Sequence, residues 1–537
     1  MKFIFISGGV ISGLGKGITT ASLAFLLKSR GYKVTPVKVD MYFNVDAGTL
    51  RPQEHGEVFV THDGMECDED LGHYERFLNQ DLNKENYITA GQIYSEVIRK
   101  ERAFEYGGET VDVIPHVTDE IIRRIKLAGK INKADIVLIE FGGTVGEYKN
   151  GIFFEASRIL KFKQPKDVLH VHVTYLPFMN HLGELKSKPA QTSVHVLNSL
   201  GIQPDILIAR SSVDLDKKRL EKLGLYSNIP ARQIFSNPDM DTVYKIPLHF
   251  HNQNHHLATT CLKILNIPTK KHHYIKKWKD LVNSIECKKK KQVTIGMIGK
   301  YFNTGAFKLP DSYVSVIEAL KHAAWSSNIE LNIKWIDCEN FCQKDIRQLD
   351  GVLVPQGWGK RGVEGKLEAI KIARTKNIPF LGLCFGMQMA TIEFARNVLG
   401  LNKANTTEAD PNTPHPIVHV MPDQKKYLAQ NQYGGTIRLG AWPCKILKNS
   451  KLFSIYKSNL ITNERHRHRY EFNTDYKEKF EKAGLFFSGV SPDGKLMEAI
   501  EIPKHKFFIA TQFHPEYISR PLSPHPLFIA FIKACIK

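Results

Sequence analysis

No apolar run in this sequence approaches the roughly 20 residues that span a bilayer; the longest, such as ASLAFLL and KNGIFFEA, fall far short. No cationic stretch followed by a long apolar segment opens the chain, and Phe3 to Ile6 already reads as a core strand. The expectation is a cytoplasmic protein with no membrane partner and no secretion signal. Cysteine is sparse and scattered, at Cys67, Cys261, Cys287, Cys338, Cys342, Cys384, Cys444 and Cys535. Cys338 and Cys342 have no second Cys or His pair close behind them. The spacing therefore argues against zinc and for free thiols in a reducing compartment. No internal repeat and no RNP, zinc-finger or helix-turn-helix pattern is present. A net charge of +19 thus reads as a lysine-rich solvated surface, with its densest stretches at KKHHYIKKWKD and ECKKKKQ. It favours anionic nucleotides over any specific nucleic acid.

What is present is the composition of a globular enzyme, 42% hydrophobic and 24% charged, in a chain too long for one core. Residues 1–265 read as one α/β domain. Its strand-like runs are FIFIS (3–7), VTPVKVD (34–40), TVDVIPH (110–116), ADIVLIEF (134–141), DVLHVHVTYLP (167–177) and PDILIARS (204–211). Helical patterns separate them, and the first helix is expected to end at Gly31. Residues 266–291 form a lysine-rich linker with one modest apolar helix, YIKKWKDLVNSI. Residues 292–537 form a second α/β domain with strands in QVTIGMIGKY, LNIKWID, GVLVPQG, IPFLGLC and FFIATQFHP. The fold class expected is α/β in two domains, each a largely parallel sheet flanked by helices.

Each domain carries a candidate site. In SGGVISGLGKGITT, Gly9, Gly13, Gly15, Lys16 and Gly17 follow a strand and precede a helix, where backbone amides and a helix N-terminus can hold phosphate. The match to a phosphate loop is imperfect, because Gly17 stands where a Ser or Thr would hold the metal. Asp70, in DEDLGHYERF, and Glu140, at the end of ADIVLIE, are candidate Mg²⁺ ligands beside a triphosphate. Lys38 is placed to neutralise a transferring phosphoryl group. Lys186, Lys188, Gln191 and Lys222 are candidates for a second anionic or nucleobase ligand. In the second domain Cys384 lies between the strand PFLGL and the helix GMQMATIEFARNV, a cysteine version of the nucleophile elbow. The helix N-terminus there favours the thiolate. His514 and Glu516 in QFHPE supply a base and the carboxylate that orients it. The Gly357 amide is a candidate oxyanion donor. Glu408 and Arg469, with Gln388 assisting, are candidate partners for the two ends of glutamine.

At this point the chain resembles the CTP synthase family over nearly its full length. The resemblance rests on SGLGKGITTASLA, HGEVFVTHDG, DLGHYERF, GQIYSEVIRKER, GGTVGE, RLGAWPC, LCFGMQ, NERHRHRYE and QFHPE. It implies a phosphate-loop-like amidoligase domain fused to a class I glutamine amidotransferase domain. The implied reaction forms CTP, ADP, phosphate and glutamate from UTP, ATP and glutamine, through a UTP phosphorylated at O4. By the same resemblance Gly13, Leu14, Gly15, Lys16, Gly17, Ile18 and Asp70 bind ATP. Ser12, Glu147, Tyr148, Lys149, Lys186, Ser187, Lys188, Pro189, Ala190, Gln191 and Lys222 serve UTP or CTP. Asp70 and Glu140 hold Mg²⁺, and Lys38 supports phosphoryl transfer. Cys384, His514 and Glu516 hydrolyse glutamine, which Gly357, Phe385, Gly386, Met387, Gln388, Glu408 and Arg469 contact. Family members are activated by GTP, with Arg438 the implied contributor, and are inhibited by CTP. They assemble as homodimers into homotetramers and, in some members, into filaments.

The chain departs from the family pattern in four places. GEYKN replaces GDIES, so Lys149 stands for an acid and Asn150 for a serine. PQGWG replaces PGGFG, putting Gln356 beside the candidate oxyanion donor. KYFNTGAFKLPDSY carries an insertion, and KSKPAQTS differs from KTKPTQHS at Ala190 and Thr192. Two rival readings stay open on sequence alone. One is an ATP-dependent amidotransferase with a different acceptor, which would hydrolyse glutamine without making CTP. The other is a regulatory or filament-forming protein with degraded catalysis.

Overall fold

In the computed structural model, Phe3, Ile4, Phe5 and Ile6 are all buried, as a strand apolar on both faces must be when helices cover both sides of its sheet. The structure describes residues 1–253, 256–270, 274–288, 291–300, 303–304, 307–308, 310–421, 424–430 and 432–536. The expected insertion near residue 300 falls partly on Tyr301, Phe302, Gly305, Ala306 and Leu309, and parts of both lysine-rich stretches fall on 271–273 and 289–290. These residues lie outside the described ones.

The chain divides into two units, Met1–Asp46 with His73–Val282, and Ala47–Gly72 with Asn283–Lys537. In the first, the strands are β1 (Lys2–Gly8), β2 (Val34–Asp40), β3 (Tyr87–Thr89), β4 (Ile136–Phe141), β5 (Val168–Tyr175), β6 (Ile206–Ser211) and β7 (Ile234–Pro238). They form one sheet in the order β7-β6-β5-β1-β4-β2-β3, and every pairing is parallel. The path from β1 leads to β2 on one side, while β5 returns to the other, so the loop after β1 opens where the winding changes direction. Helix α1 (Lys16–Lys28) packs its buried Leu23, Phe25, Leu26 and Leu27 beside that strand. It ends at Ser29, two residues before Gly31, which carries the left-handed φ of 82°.

One segment of the first unit differs from its expected form. TVDVIPH is not a strand: Val113–Val117 forms an irregular helical turn, capped by the Asp112 side chain on Val113 N. Pro115 has no N–H to give a ladder, and among the described residues no strand pairs with this segment. The apolar helix expected within the linker is present as α2 (Ile275–Glu286) and packs through its buried Trp278. Trp278 is fully buried, donates through Nε1 to Tyr244 O at 2.8 Å, and packs on Phe25 with ring centroids 4.3 Å apart.

The second unit holds β8 (Lys291–Gly299), β9 (Ile329–Asp337), β10 (Gly351–Val354), β11 (Phe380–Leu383), β12 (Arg438–Ile446), β13 (Ile461–His468), β14 (Phe486–Val490), β15 (Met497–Glu501) and β16 (Phe508–Thr511). Their order is β9-β8-β10-β11-β16-β15-β14-β12-β13. The first five pair in parallel and the rest are antiparallel. The parallel half is covered by helices that include α3 (Val363–Thr375) and α4 (Phe385–Asn397).

A single cut between 265 and 292 misses one feature: residues 47–72 belong to the second unit. Tyr517 Oη donates to Val58 O at 3.1 Å, Arg465 Nη1 to Val60 O at 2.9 Å, and Arg467 Nε to Glu66 Oε1 at 2.8 Å. Such contacts across some 400 residues leave no local signature. Among the described residues no helix is long and apolar enough to cross a membrane. Replacing Trp278 by Ala is expected to cost about 3–5 kcal/mol, read as an earlier chemical-denaturation midpoint for the first unit.

Candidate active sites

In the first unit the segment from Gly9 to Gly15 connects β1 to α1. Gly15 caps the helix with φ 84°, a left-handed conformation that side chains resist. Lys16 is buried and donates from Nζ to Gly143 O at 2.7 Å, tying the loop to the turn after β4. Ser12 and Gly13 are exposed, whereas Leu14 and Gly17 are buried. Behind the loop His172 bonds Ser7 Oγ at 2.9 Å and Ser193 Oγ at 3.0 Å. Burial, helped by the Lys16 charge, pulls His172 down to about 3, so the imidazole is a neutral brace. Neither Ser193 nor His172 stood out in the sequence, because each sits inside an ordinary helix or strand pattern.

Lys38 and Glu140, on neighbouring strands, form a buried ion pair at 3.1 Å. The other Glu140 oxygen accepts from Tyr74 Oη. Asp70 opens the helix Asp70–Leu78. In the GEYKN turn Glu147 accepts from Thr144 N at 2.6 Å and pairs with Lys149 at 3.4 Å. Burial would raise Glu147, but the Thr144 donors and Lys149 outweigh it and hold the carboxyl below its usual range. Tyr148 is fully exposed. Lys186 pairs with Glu184, and Lys222 adds its charge there, so two of the sequence candidates converge on one carboxylate. Ser187 accepts from Gln191 Nε2 at 3.0 Å beside the first turn of Lys188–Ser199, where Pro189 and buried Ala190 sit.

The second unit brings its candidates together more tightly. Cys384 leaves β11 with φ 51° and ψ −100° and caps α4. This is a strained elbow that presents sulfur at a helix N-terminus. Gly386 is required there: a Cβ would come within 2.1 Å of Val354 O. Phe385, Met387 and Gln388 complete a buried first turn. His514 follows β16, is 1% exposed, and places Nδ1 2.7 Å from Glu516 Oε1. Tyr517 stacks on its ring at 4.9 Å. Burial alone would lower His514, but Glu516 and the Cys384 sulfur dominate and push it up to about 10. The ring is therefore an imidazolium at neutral pH.

Gln512 was not singled out in the sequence, although it lies two residues before His514. Its Nε2 donates to Cys384 Sγ at 3.6 Å, while its Oε1 accepts from Gln388 Nε2 at 3.4 Å. Gln388 also holds Tyr470 O at 2.9 Å, so it orients the amide that touches the nucleophile.

A cavity of about 280 Å³ is lined by Gly48, Glu66, Trp358, Glu408, Arg467 and Arg469, among others. Glu408 accepts from Gly359 N at 2.7 Å; burial raises its carboxyl, against that bond and the Lys300 charge. Arg469 is held by Gln424 Oε1 at 2.9 Å and Thr436 Oγ1 at 2.8 Å. Thus Glu408 and Arg469 share one pocket, whereas Trp358 rather than Gly357 faces it. Gln356 Nε2 donates to Glu57 Oε1 at 3.1 Å. Arg438 is not displayed for a ligand: it is buried, pairs with Glu498 at 2.8 Å and lies 5.2 Å over Trp442. Within ERHRHRYE, Arg465, His466 and His468, at the end of β13, are all but fully buried.

The comparisons bear on both units. Residues 2–267 match the family model described as CTP synthase N-terminus, and residues 308–534 match glutamine amidotransferase class-I. A CTP synthase of Caldanaerobacter subterraneus is 48% identical over 540 residues, covering 100% of this chain and 98% of its own. That of Bacillus subtilis is 46% identical over 547 residues, covering 100% and 99%. Among solved structures, the Trypanosoma brucei CTPS glutaminase domain with bound acivicin is 39% identical, with a TM-score of 0.42, covering 45% of this chain and 93% of that one.

The His514 charge supplies a prediction. Its folded value lies above the ordinary value of about 6.5, so its contribution to stability is full below that value and is lost as pH rises through about 10. Replacing Glu516 by Gln is expected to move the alkaline limb of glutamine hydrolysis down by about one pH unit or more. A pH profile of kcat/KM with and without the substitution measures it.

Proposed function

The chain belongs to the CTP synthase family, and from that premise we propose how its residues divide the work. The reaction itself is the ATP-dependent amination of UTP to CTP with glutamine or ammonia as nitrogen source, catalysed by a carbon–nitrogen ligase of pyrimidine biosynthesis.

In the second unit Cys384 Sγ attacks the side-chain carbonyl carbon of glutamine. The carbonyl oxygen takes the negative charge, with the Gly357 amide as its donor. The C–N bond then breaks, His514 gives its proton to the departing nitrogen, and ammonia leaves a γ-glutamyl thioester. Water, deprotonated by His514, attacks the thioester and frees glutamate and the thiol. Glu408 takes the α-amino group and Arg469 the α-carboxylate. Phe385, Gly386, Met387 and Gln388 frame the acyl group. The observation that carries this reading is the buried Cys384, His514 and Glu516 constellation within the same unit as a pocket shared by Glu408 and Arg469.

In the first unit Gly13 to Ile18 hold ATP; the family resemblance adds Asp70, which opens the helix Asp70–Leu78. Uracil O4 attacks the γ-phosphorus and ADP departs. Ammonia then attacks C4, and phosphate leaves with the former O4. Lys38 offsets charge on the phosphoryl group. Ser12, Glu147, Tyr148, Lys149, Lys186 to Gln191 and Lys222 form the UTP or CTP site. Among the described residues no three His, Cys, Asp or Glu side chains converge into a metal cage. By the family resemblance Glu140 and Asp70, both hard oxygen donors, would be the residues that hold Mg²⁺. When bound, Mg²⁺ neutralises triphosphate charge. Lys149, paired to Glu147, alters the site where CTP feedback acts. Any part of Arg438 in a GTP response runs through the Glu498 pair and β12, since its guanidinium is enclosed. The same reading includes a cytoplasmic setting, assembly of homodimers into homotetramers, and filaments.

Cys384→Ala is expected to lower glutamine-dependent CTP formation at least about a thousandfold, while ammonia-dependent formation persists. Loss of both in a folded protein contradicts the division of labour.

A further inference from the structure

Phe385 follows the nucleophile as the first residue of α4, and two ammonium groups lie against it. Lys300 Nζ and Lys366 Nζ are each 4.8 Å from the ring centroid. Both also crowd Gly357: a Cβ there would come 2.9 Å from Lys300 Cε and 3.3 Å from Lys366 Nζ. Lys300 donates to Trp358 O and to Gly359 O, the latter at 3.2 Å. Lys366, on the buried face of α3, is 0% exposed, and its Nζ reaches no acceptor. Packing does not explain that choice, because methionine would fill the same space without desolvating a charge. The ring contact recovers only part of the loss. An interior ammonium without an acceptor is useful where negative charge comes and goes.

We propose that Lys366 is a positioning residue of the glutaminase reaction, supplying counter-charge behind Gly357 and Phe385 when negative charge forms on Cys384 and then on the glutamine carbonyl oxygen. The proposal rests on the reading of Cys384 as nucleophile. The ionisable groups that act on Lys366 are Cys338, Lys300 and Cys384. Burial, reinforced by Lys300 and opposed by the two thiols, pulls Lys366 down to about 7. It therefore sits between neutral and charged at neutral pH, and an anion forming nearby draws a proton onto it. The sign follows. The advantage over an uncharged side chain is full below about 7 and fades as pH rises past the higher value that Lys366 takes beside the anion.

The test compares wild type, K366M and K366R in glutamine hydrolysis from pH 6 to 9, and in binding of the γ-aldehyde analogue of glutamine, whose hemithioacetal oxygen imitates the oxyanion. K366M is expected to lose about tenfold in kcat at pH 6, with KM little changed and with the ratio to wild type closing as pH rises. Taking a ratio cancels the titration of His514, which both enzymes share. Aldehyde affinity should fall by the same factor, and K366R should restore most of both. A K366M enzyme within twofold of wild type at pH 6, or one whose loss is independent of pH and not restored in K366R, overturns the proposal. Carbon-13 NMR of the labelled aldehyde separates the premises. Without a hemithioacetal signal in wild type that Cys384→Ala removes, the nucleophile assignment fails; with that signal and no effect in K366M, only the role of Lys366 fails.

Discussion

Two buried carboxylate-bound cations stand at the centre of the second unit. The imidazolium of His514 leans on Glu516 at 2.7 Å, and Arg467 leans on Glu66 at 2.8 Å. Water cannot solvate charge in that interior, so each charged group must be met by a protein group at fixed distance. The pair at His514 sets the protonation state of the base. The pair at Arg467 brings residues 47–72 to the catalytic wall, placing Gly48 and Glu66 in the pocket that Glu408 and Arg469 share. Arg438 and Glu498 extend the same rule deeper into the antiparallel half of the sheet. Lys366 is where the rule is left open, and it adjoins the place where the reaction makes new negative charge.

In both units the candidate residues gather at the C-terminal ends of parallel strands, but by different means. The first has a glycine loop between β1 and α1, tied down by Lys16 and backed by the neutral His172. The second uses side chains on a strained turn, with Cys384 held at φ 51° because Gly386 lets α4 approach Val354. Phosphate binding suits the first arrangement, since amides spread charge over several oxygens. Attack on a carbonyl suits the second, since it needs one atom aimed at one carbon.

The parts of this fold legible in the sequence are those fixed by neighbours along the chain. FIFIS and ADIVLIEF are apolar enough to be central strands, LCFGMQ joins a strand to a helix, and HPE places its carboxylate two residues from its base. Where the sequence misled, a distant partner decided. TVDVIPH has strand composition, but Val113–Val117 closes into a helical turn capped by Asp112. YIKKWKDLVNSI looks like a linker until Trp278 finds Phe25 and Tyr244. Arg438, which the family resemblance ties to a GTP response, pairs with Glu498 on another strand, a contact that no local pattern announces. Gln512 was overlooked because its meaning depends on Gln388, on another element. The grouping of residues 47–72 with the second unit rests on bonds such as Arg465 to Val60, which no local pattern announces.

The central claim is that nitrogen freed at Cys384 is consumed at a pyrimidine carbon activated by ATP. Supplying glutamine labelled with nitrogen-15 in its side-chain amide, together with UTP, ATP and Mg²⁺, tests that transfer directly. The account predicts the label on the exocyclic nitrogen of CTP, diluted little by unlabelled ammonia in the medium. Consumption of all three substrates with no label on the product would contradict it.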